Sequence, residues 1–234
     1  MNKNYIFKEE NGSLEFIGDF DGLYCDQDDP WNQSGNYGEI KDYYNHSRNR
    51  LNLCLNKINP ASLLEVGCGL GYTTRLIQNN LSNCAVSGLD ISKVAIEKAM
   101  NLFPDLRFIN GNIANNALLL DSKYNVIILN QLLWYVLESL DCVFNNCFNY
   151  LDDGGQVVIS QAFLKSEQRY GKDKCDGFSG LISYLENNTK YSFKIEYHDF
   201  DIDNKLLHND GLVVLRKIKW KFHQLLDVKM KKRG

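Results

Sequence analysis

Residues 63–71 read Leu63-Leu64-Glu65-Val66-Gly67-Cys68-Gly69-Leu70-Gly71: a short apolar strand, one carboxylate, then three glycines at alternate positions. A second apolar run, Ala85-Val86-Ser87-Gly88-Leu89-Asp90-Ile91-Ser92, carries an acid near its end. A strand feeding a glycine loop, then a helix, then a strand ending in an acid is how a βαβ unit holds a nucleoside. The glycines allow backbone to come close where a Cβ would clash, and the acid accepts hydrogen bonds from both ribose hydroxyls.

The dinucleotide fingerprint, Gly-x-Gly-x-x-Gly/Ala, uses its third small residue for close packing of helix on strand under a pyrophosphate. Counted from Gly67, that position is Tyr72, and the third glycine falls one residue early, at Gly71. The loop is therefore Glu-x-Gly-x-Gly-x-Gly. It resembles motif I of the class I S-adenosylmethionine-dependent methyltransferases, with Asp90 matching that family's ribose-binding acid. The resemblance implies S-adenosyl-L-methionine as cofactor, held by Glu65, Gly67, Cys68, Gly69, Gly71, Asp90 and Ile91.

The 234 residues suffice for one α/β domain with a small appendage. Hydrophobic content of 44% and charged content of 24% fit an ordinary globular protein. No apolar run reaches the ~20 residues of a membrane helix, and the N-terminus lacks a signal peptide's apolar core, so a cytoplasmic location is expected. Seven cysteines (Cys25, Cys54, Cys68, Cys84, Cys142, Cys147, Cys175) include no C-x-x-C pair. Neither they nor the four histidines have metal-ligand spacing, so reduced thiols and no metal are expected. A net charge of −3 argues against a nucleic-acid substrate. From Arg216 onward the chain is basic, which reads first as a solvated helix and tail.

Outward from the glycine loop, the pattern alternates. A helix is expected from Ile40 to Ile58, stopped by Asn59-Pro60. A second should run from Ser92, its N-cap, to Leu102 before Pro104. Leu106 to Ile109 reads as a strand, and Tyr124 to Asn130 as a continuous apolar strand of the kind parallel sheets bury. A helix from Glu138 to Leu151 should stop at Asp152-Asp153-Gly154-Gly155, with a strand over Gln156 to Ser160. Ser192 to Phe200 and Gly211 to Ile218 are strand-like runs joined by too few residues for a crossover helix, so they should pair antiparallel. The fold expected is α/β: a Rossmann-like, doubly wound seven-stranded sheet, mostly parallel with a C-terminal antiparallel hairpin, plus an N-terminal lid segment. Residues 1–59 would form the lid and 60–234 the cofactor-binding domain.

The resemblance extends to further positions. Where the family has Gly-Asp-Ala after its third strand, accepting from the adenine amino group, this chain has Gly111-Asn112-Ile113. Asparagine's carbonyl can still accept, so Asn112 and Ile113 join the expected cofactor residues, as does Asn130 after the next strand. Nucleic-acid and protein amino-methyltransferases commonly carry Asn/Asp-Pro-Pro-Tyr there. With prolines only at 30, 60 and 104, this chain cannot, which points to a small acceptor.

Asp29-Pro30-Trp31, with the tyrosines that follow, resembles the N-terminal segment of bacterial nodulation N-methyltransferases, which act on amino-sugar oligomers, and of surface-carbohydrate relatives. In such proteins the segment folds over the cofactor. The resemblance makes Trp31, Tyr37, Tyr43, Tyr44 and Arg48 candidates to close the site, with Arg48 pairing the methionine carboxylate.

Tyr135, His46 and His198 are the groups to weigh as catalytic. An amine acceptor needs only to lose its proton, whereas a hydroxyl benefits from a base. The acceptor expected is a small molecule, a sugar or surface-carbohydrate precursor, at N or O, with a phosphate- or phosphoramidate-bearing capsule precursor as an alternative. A nicotinamide-dependent reductase, disfavoured by Tyr72 and the terminal hairpin, and a non-catalytic cofactor-binding module stand as the other readings. Oligomeric state is not legible.

Overall fold

The computed structural model describes residues 5–10, 12–35, 40–187 and 193–218. Tyr37 and the basic residues from Lys219 onward lie outside the described residues.

An N-terminal hairpin, β1 (Phe7–Glu10) and β2 (Ser13–Phe16), leads into a short helix α1 (Phe20–Asp26) and a long one, α2 (Ile40–Ile58). There follow β3 (Ser62–Val66), α3 (Tyr72–Asn80), β4 (Ala85–Asp90), α4 (Lys93–Leu102), β5 (Arg107–Asn110) and β6 (Tyr124–Asn130). After two 3-10 turns come α5 (Leu140–Tyr150), β7 (Leu151–Phe163), α6 (Gly177–Asn187), β8 (Phe193–Asp201) and β9 (Asn209–Lys217).

The main sheet has seven strands in the order β5-β4-β3-β6-β7-β9-β8. The first five are parallel, and β9 runs antiparallel between β7 and β8. Alternate residues of the central strands face opposite layers. Leu63, Val126 and Ile128 pack with Leu51 and Leu55 of α2 and Ile77 of α3. Leu64, Ile127 and Leu129 pack with Val143, Phe144 and Cys147 of α5 and Leu181 of α6. Both faces are covered, so the central strands are mostly apolar, with Glu65 of β3 and Asp90 of β4 as buried exceptions.

Two expectations shift. The helix expected over Glu138 to Leu151 is α5, Leu140–Tyr150, and the strand begins at Leu151 rather than Gln156. Leu151 already pairs with Tyr124, and the register then skips to Gln156 opposite Val126. Asp152-Asp153-Gly154-Gly155 is thus a bulge within the strand, not only a helix stop. The basic residues at the end of β9 are also less free than composition implied. Lys217 Nζ donates to the carbonyls of Phe148 (2.7 Å) and Leu151 (2.8 Å), closing the C-terminus of α5.

No described helix is long and apolar enough to cross a membrane. All seven cysteines are free, and among the described residues no group of three metal-ligating side chains comes together.

Candidate active site

The parallel strands β3, β4 and β6 end on one side of the sheet, where such folds keep their ligand crevice. There a cavity of ≈ 310 Å³ opens, lined among others by Gly67, Asp90, Ile91, Asn112, Ile113 and Asn130. Its volume is at the low end of small-molecule sites. Over it lie residues of the N-terminal segment, including Phe16, Phe20, Tyr24, Trp31 and Gln33, with Tyr44, Ser47 and Arg48 of α2.

The glycine loop turns back beneath this cavity. Gly67, Gly69 and Gly71 all have positive φ (76°, 52° and 79°), the region that favours glycine. The Gly67 and Cys68 N–H groups donate to Leu89 O, which ties the loop to β4. Gly71 is the N-cap of α3, and a Cβ there would lie 2.6 Å from the Phe108 ring.

Asp90 is 8% exposed, and its two oxygens accept from the Gly69 and Ser92 N–H groups, each at 2.8 Å. Burial pushes its pKa up to about 6, with those hydrogen bonds opposing the rise. A carboxylate offers about four acceptor sites, so a pair of vicinal hydroxyls can still bind alongside these two amides. Ile91, 48% exposed, stands at the rim with Asn112. The Asn112 side-chain Oδ1 accepts from Ala114 N at 2.8 Å, fixing the turn after β5.

Glu65, Cys68, Gly69 and Gly71, all expected at the cofactor, support the cavity from behind and are not on its wall. Glu65 is 1% exposed and accepts from Thr74 Oγ1 at 2.5 Å and Asn130 Nδ2 at 3.0 Å. Its pKa rises to about 7 because of burial, against these donors and the Arg48 charge. Through Asn130 it orients a side chain that does reach the cavity. Cys68 is fully buried, packed beneath the loop against Gly88.

Arg48 reaches the cavity from α2. Its Nε donates to Thr73 Oγ1 (3.2 Å) and its Nη2 to Gln33 O (2.7 Å), and its guanidinium lies 5.2 Å over the Tyr44 ring. Trp31 is placed by Asp29, whose carboxylate accepts from the Gln33 and Ser34 N–H groups (2.7 and 2.9 Å) and so winds the loop into a turn. The Trp31 ring is 5.7 Å from that of Tyr135.

Of the three groups weighed as catalytic, only Tyr135 lines the cavity. It sits among the rings of Phe7, Phe16, Phe20 and Trp31, and burial raises its pKa above the ordinary phenol value. Neither histidine is on the cavity wall. His46 lies two residues from both Tyr44 and Arg48, about 200° round the helix, and its Nε2 is 2.7 Å from Asp201 Oδ2. His198 is exposed on β8, the outermost strand, beside Phe178.

Residues that composition and motif did not flag also meet here. Gln131, just past β6, has a φ of 54°, a strained conformation for a non-glycine residue. It is held there by four contacts: its N donates to Ser160 O (2.8 Å), its Oε1 accepts from Ala162 N (2.8 Å), and its Nε2 donates to Tyr43 Oη (3.1 Å) and Ser47 Oγ (3.3 Å). Tyr43, expected to close the site, instead lies buried behind it and donates to Asp210 Oδ1 at 2.9 Å.

A family described as a methyltransferase domain matches residues 59–210. Malonyl-[acyl-carrier protein] O-methyltransferase 1 of Ilyobacter polytropus is 28% identical over 136 residues, 57% of this chain and 47% of that protein. The Bacillus anthracis malonyl-[acyl-carrier protein] O-methyltransferase is 30% identical over 152 residues, 60% of this chain and 55% of that one. The Escherichia coli trans-aconitate 2-methyltransferase is 26% identical over 88 residues, 38% and 28% respectively. The chain thus spans about half the length, or less, of these curated relatives. Among solved structures, the N-methyltransferase NodS of Bradyrhizobium japonicum in complex with S-adenosyl-L-homocysteine superposes with a TM-score of 0.63 at 16% identity, covering 85% of this chain and 97% of that one. The plantazolicin methyltransferase BpumL superposes with a TM-score of 0.58 at 17% identity, covering 85% and 94%. At such identities the superpositions speak for the fold. With the family match over residues 59–210, most of the chain, and the fold these neighbours share, the chain belongs to the class I S-adenosylmethionine-dependent methyltransferases.

Proposed function

We propose that the protein transfers a methyl group from S-adenosylmethionine to a small molecule, a sugar or surface-carbohydrate precursor, at nitrogen or oxygen. The observation that carries the cofactor half is the cavity itself, where the Asp90 carboxylate, the Gly67 turn and the Arg48 guanidinium face one space. In that assignment Asp90 takes the ribose hydroxyls, Ile91, Asn112 and Ile113 hold the adenine, and Arg48 faces the methionine carboxylate. Asn130, braced by Glu65, and Trp31 complete the holding set. The bound cofactor supplies a methyl group already activated as a sulfonium.

The chain's own work is then orientation and exclusion of water, which can supply ~7–11 kcal/mol of barrier reduction. The N-terminal segment, as a lid, covers the cavity with Phe16, Phe20 and Trp31, and Tyr135 forms the facing wall. Tyr135, its hydroxyl pKa raised by burial, packs against these rings and stays the candidate to meet the acceptor. The sugar reading of the acceptor rests on the Asp29-Pro30-Trp31 segment and its likeness to enzymes of amino-sugar oligomers.

One observation favours a second acceptor. Among the described residues lining the cavity, Asp90 is the only acid and there is no histidine, so a nucleophile that needs no base is well suited. The curated relatives named for malonyl-[acyl-carrier protein] and trans-aconitate suggest a carboxylate acceptor of that kind.

Incubation with methyl-labelled cofactor and a panel of amino-sugar nucleotides, neutral sugar nucleotides and dicarboxylates separates the readings. Base-stable label on a sugar nucleotide is the expected result. Label found only in base-labile methyl esters would replace the sugar reading by the carboxylate one.

A further inference from the structure

The N-terminal loop does more than cover the cavity. Gln33 touches three parts of the site at once. Its side-chain Oε1 accepts from the Leu70 N–H at 2.9 Å, inside the glycine loop. Its backbone carbonyl accepts from Arg48 Nη2 at 2.7 Å, and its own N–H donates to Asp29 Oδ1 at 2.7 Å. The turn wound by Asp29, the arginine facing the cavity and the glycine loop are therefore joined through a single residue.

Gly69 sits where this join is made. A Cβ on Gly69 would lie 2.5 Å from Tyr24 Oη and 2.6 and 2.8 Å from the Oε1 and Nε2 of Gln33. Real Cβ atoms do not approach so closely. The missing side chain leaves room for two side chains of the N-terminal segment, and Gly69 is absent from the cavity wall. The glycine next to Leu70 thus makes room for the cover, besides giving the turn its φ of 52°. A second anchor holds the same cover on the far side, where Asp21 Oδ1 accepts from Ser92 Oγ at 2.6 Å.

We infer that Gln33 is a positioning residue of the cofactor site: its side-chain carbonyl fastens the N-terminal segment to the glycine loop, with Gly69 small to permit it, and so slows cofactor release. The inference rests on the reading of the cavity as a site for S-adenosylmethionine. Loss of the Gln33 acceptor leaves the backbone bond to Arg48 in place, so the cofactor's contacts survive while the cover loosens. The consequence falls on the dissociation rate.

The test measures release of S-adenosyl-L-homocysteine by stopped-flow displacement, together with hydrogen exchange at the Leu70 amide. Gln33→Leu should release the ligand about three- to tenfold faster, the range for one lost hydrogen bond, with faster Leu70 exchange. Gln33→Glu, which keeps an acceptor at that position, should restore slow release. Gly69→Ala, which adds the strain of a side chain at a φ of 52° to the clash with Gln33, should release the ligand at least as fast as Gln33→Leu. Wild-type rates in Gln33→Leu, or no rescue by Gln33→Glu, would overturn the fastening alone. Failure of the wild-type protein to bind the ligand would overturn the cofactor reading, and the fastening with it.

Discussion

The carboxylate of Asp90, at the end of β4, accepts a hydrogen bond from the Gly69 N–H at 2.8 Å, across the mouth of the glycine loop. The acid is therefore both a wall of the cavity and a brace for the loop beside it. Asp90→Asn replaces one acceptor oxygen by a donor and removes the charge. Calorimetric titration with S-adenosyl-L-homocysteine should show an affinity about 10- to 100-fold weaker, as expected for loss of charge-assisted hydrogen bonds. Unchanged affinity would remove Asp90 from the site.

Glu65 gives a prediction in pH. Its pKa is raised to about 7 by burial, above its value in an unfolded chain near 4.3. The folded protein therefore holds this proton more tightly. The stability that comes with it is present below about pH 4.3 and lost as pH rises to about 7, by roughly 3 kcal/mol. Glu65→Gln lacks this titration. Relative to wild type, the variant should gain roughly that amount of unfolding free energy between pH 4.5 and 8 in urea titrations. Parallel pH profiles for the two proteins would mean that Glu65 is ionised throughout.

Arg48 is assigned to the carboxylate end of the cofactor, which makes its effect selective by ligand. Arg48→Ala should weaken S-adenosyl-L-homocysteine about tenfold or more, the scale of a charge-assisted pair. It should leave 5′-methylthioadenosine, which has no amino-acid tail, within about twofold. Equal losses for both ligands would point to collapse of the Thr73 and Gln33 contacts instead.

Two glycines at positive φ separate backbone strain from steric clash. At Gly154 (φ 75°) a Cβ meets nothing within 4 Å, whereas at Gly71 (φ 79°) it lies 2.6 Å from the Phe108 ring. Gly154→Ala should cost about 1–2 kcal/mol, the left-handed penalty alone. Gly71→Ala adds overpacking of about 1–3 kcal/mol, and chemical denaturation should show the larger loss. Equal losses would mean that Phe108 yields freely.

The parts of the fold legible in the sequence were those with local punctuation. The turn from β3 into α3 carries its glycines, Ser92 caps α4 by accepting from Ala95 N at 3.1 Å, and the short polar link after Asp201 leaves β8 and β9 to pair only as antiparallel strands. The hairpin of β1 and β2 escaped notice although Asn11-Gly12 between alternating residues is a strong hairpin signal; Gly12 has the required positive φ, at 80°. The α6 helix was missed too, although Leu181 and Leu185 stand at helical spacing. At the cavity, Asp90 and Gly67 stand where one βαβ unit sets their geometry, which is local enough to read from the sequence. Gln33 and Gln131 were not. Each acquires its role from partners distant in sequence, Leu70 for one and Tyr43, Ser160 and Ala162 for the other. The place of His46, off the cavity wall and beside Asp201, depends on its helix face, which spacing alone does not give.

The central claim is that the cavity at the ends of β3, β4 and β6 holds an adenosyl sulfonium through Asp90. A crystal of the full chain soaked with S-adenosyl-L-homocysteine measures this directly. The account predicts the ribose hydroxyls within hydrogen-bonding distance of the Asp90 oxygens and the amino-acid tail toward Arg48. An empty cavity, or ligand density elsewhere on the protein, would contradict it.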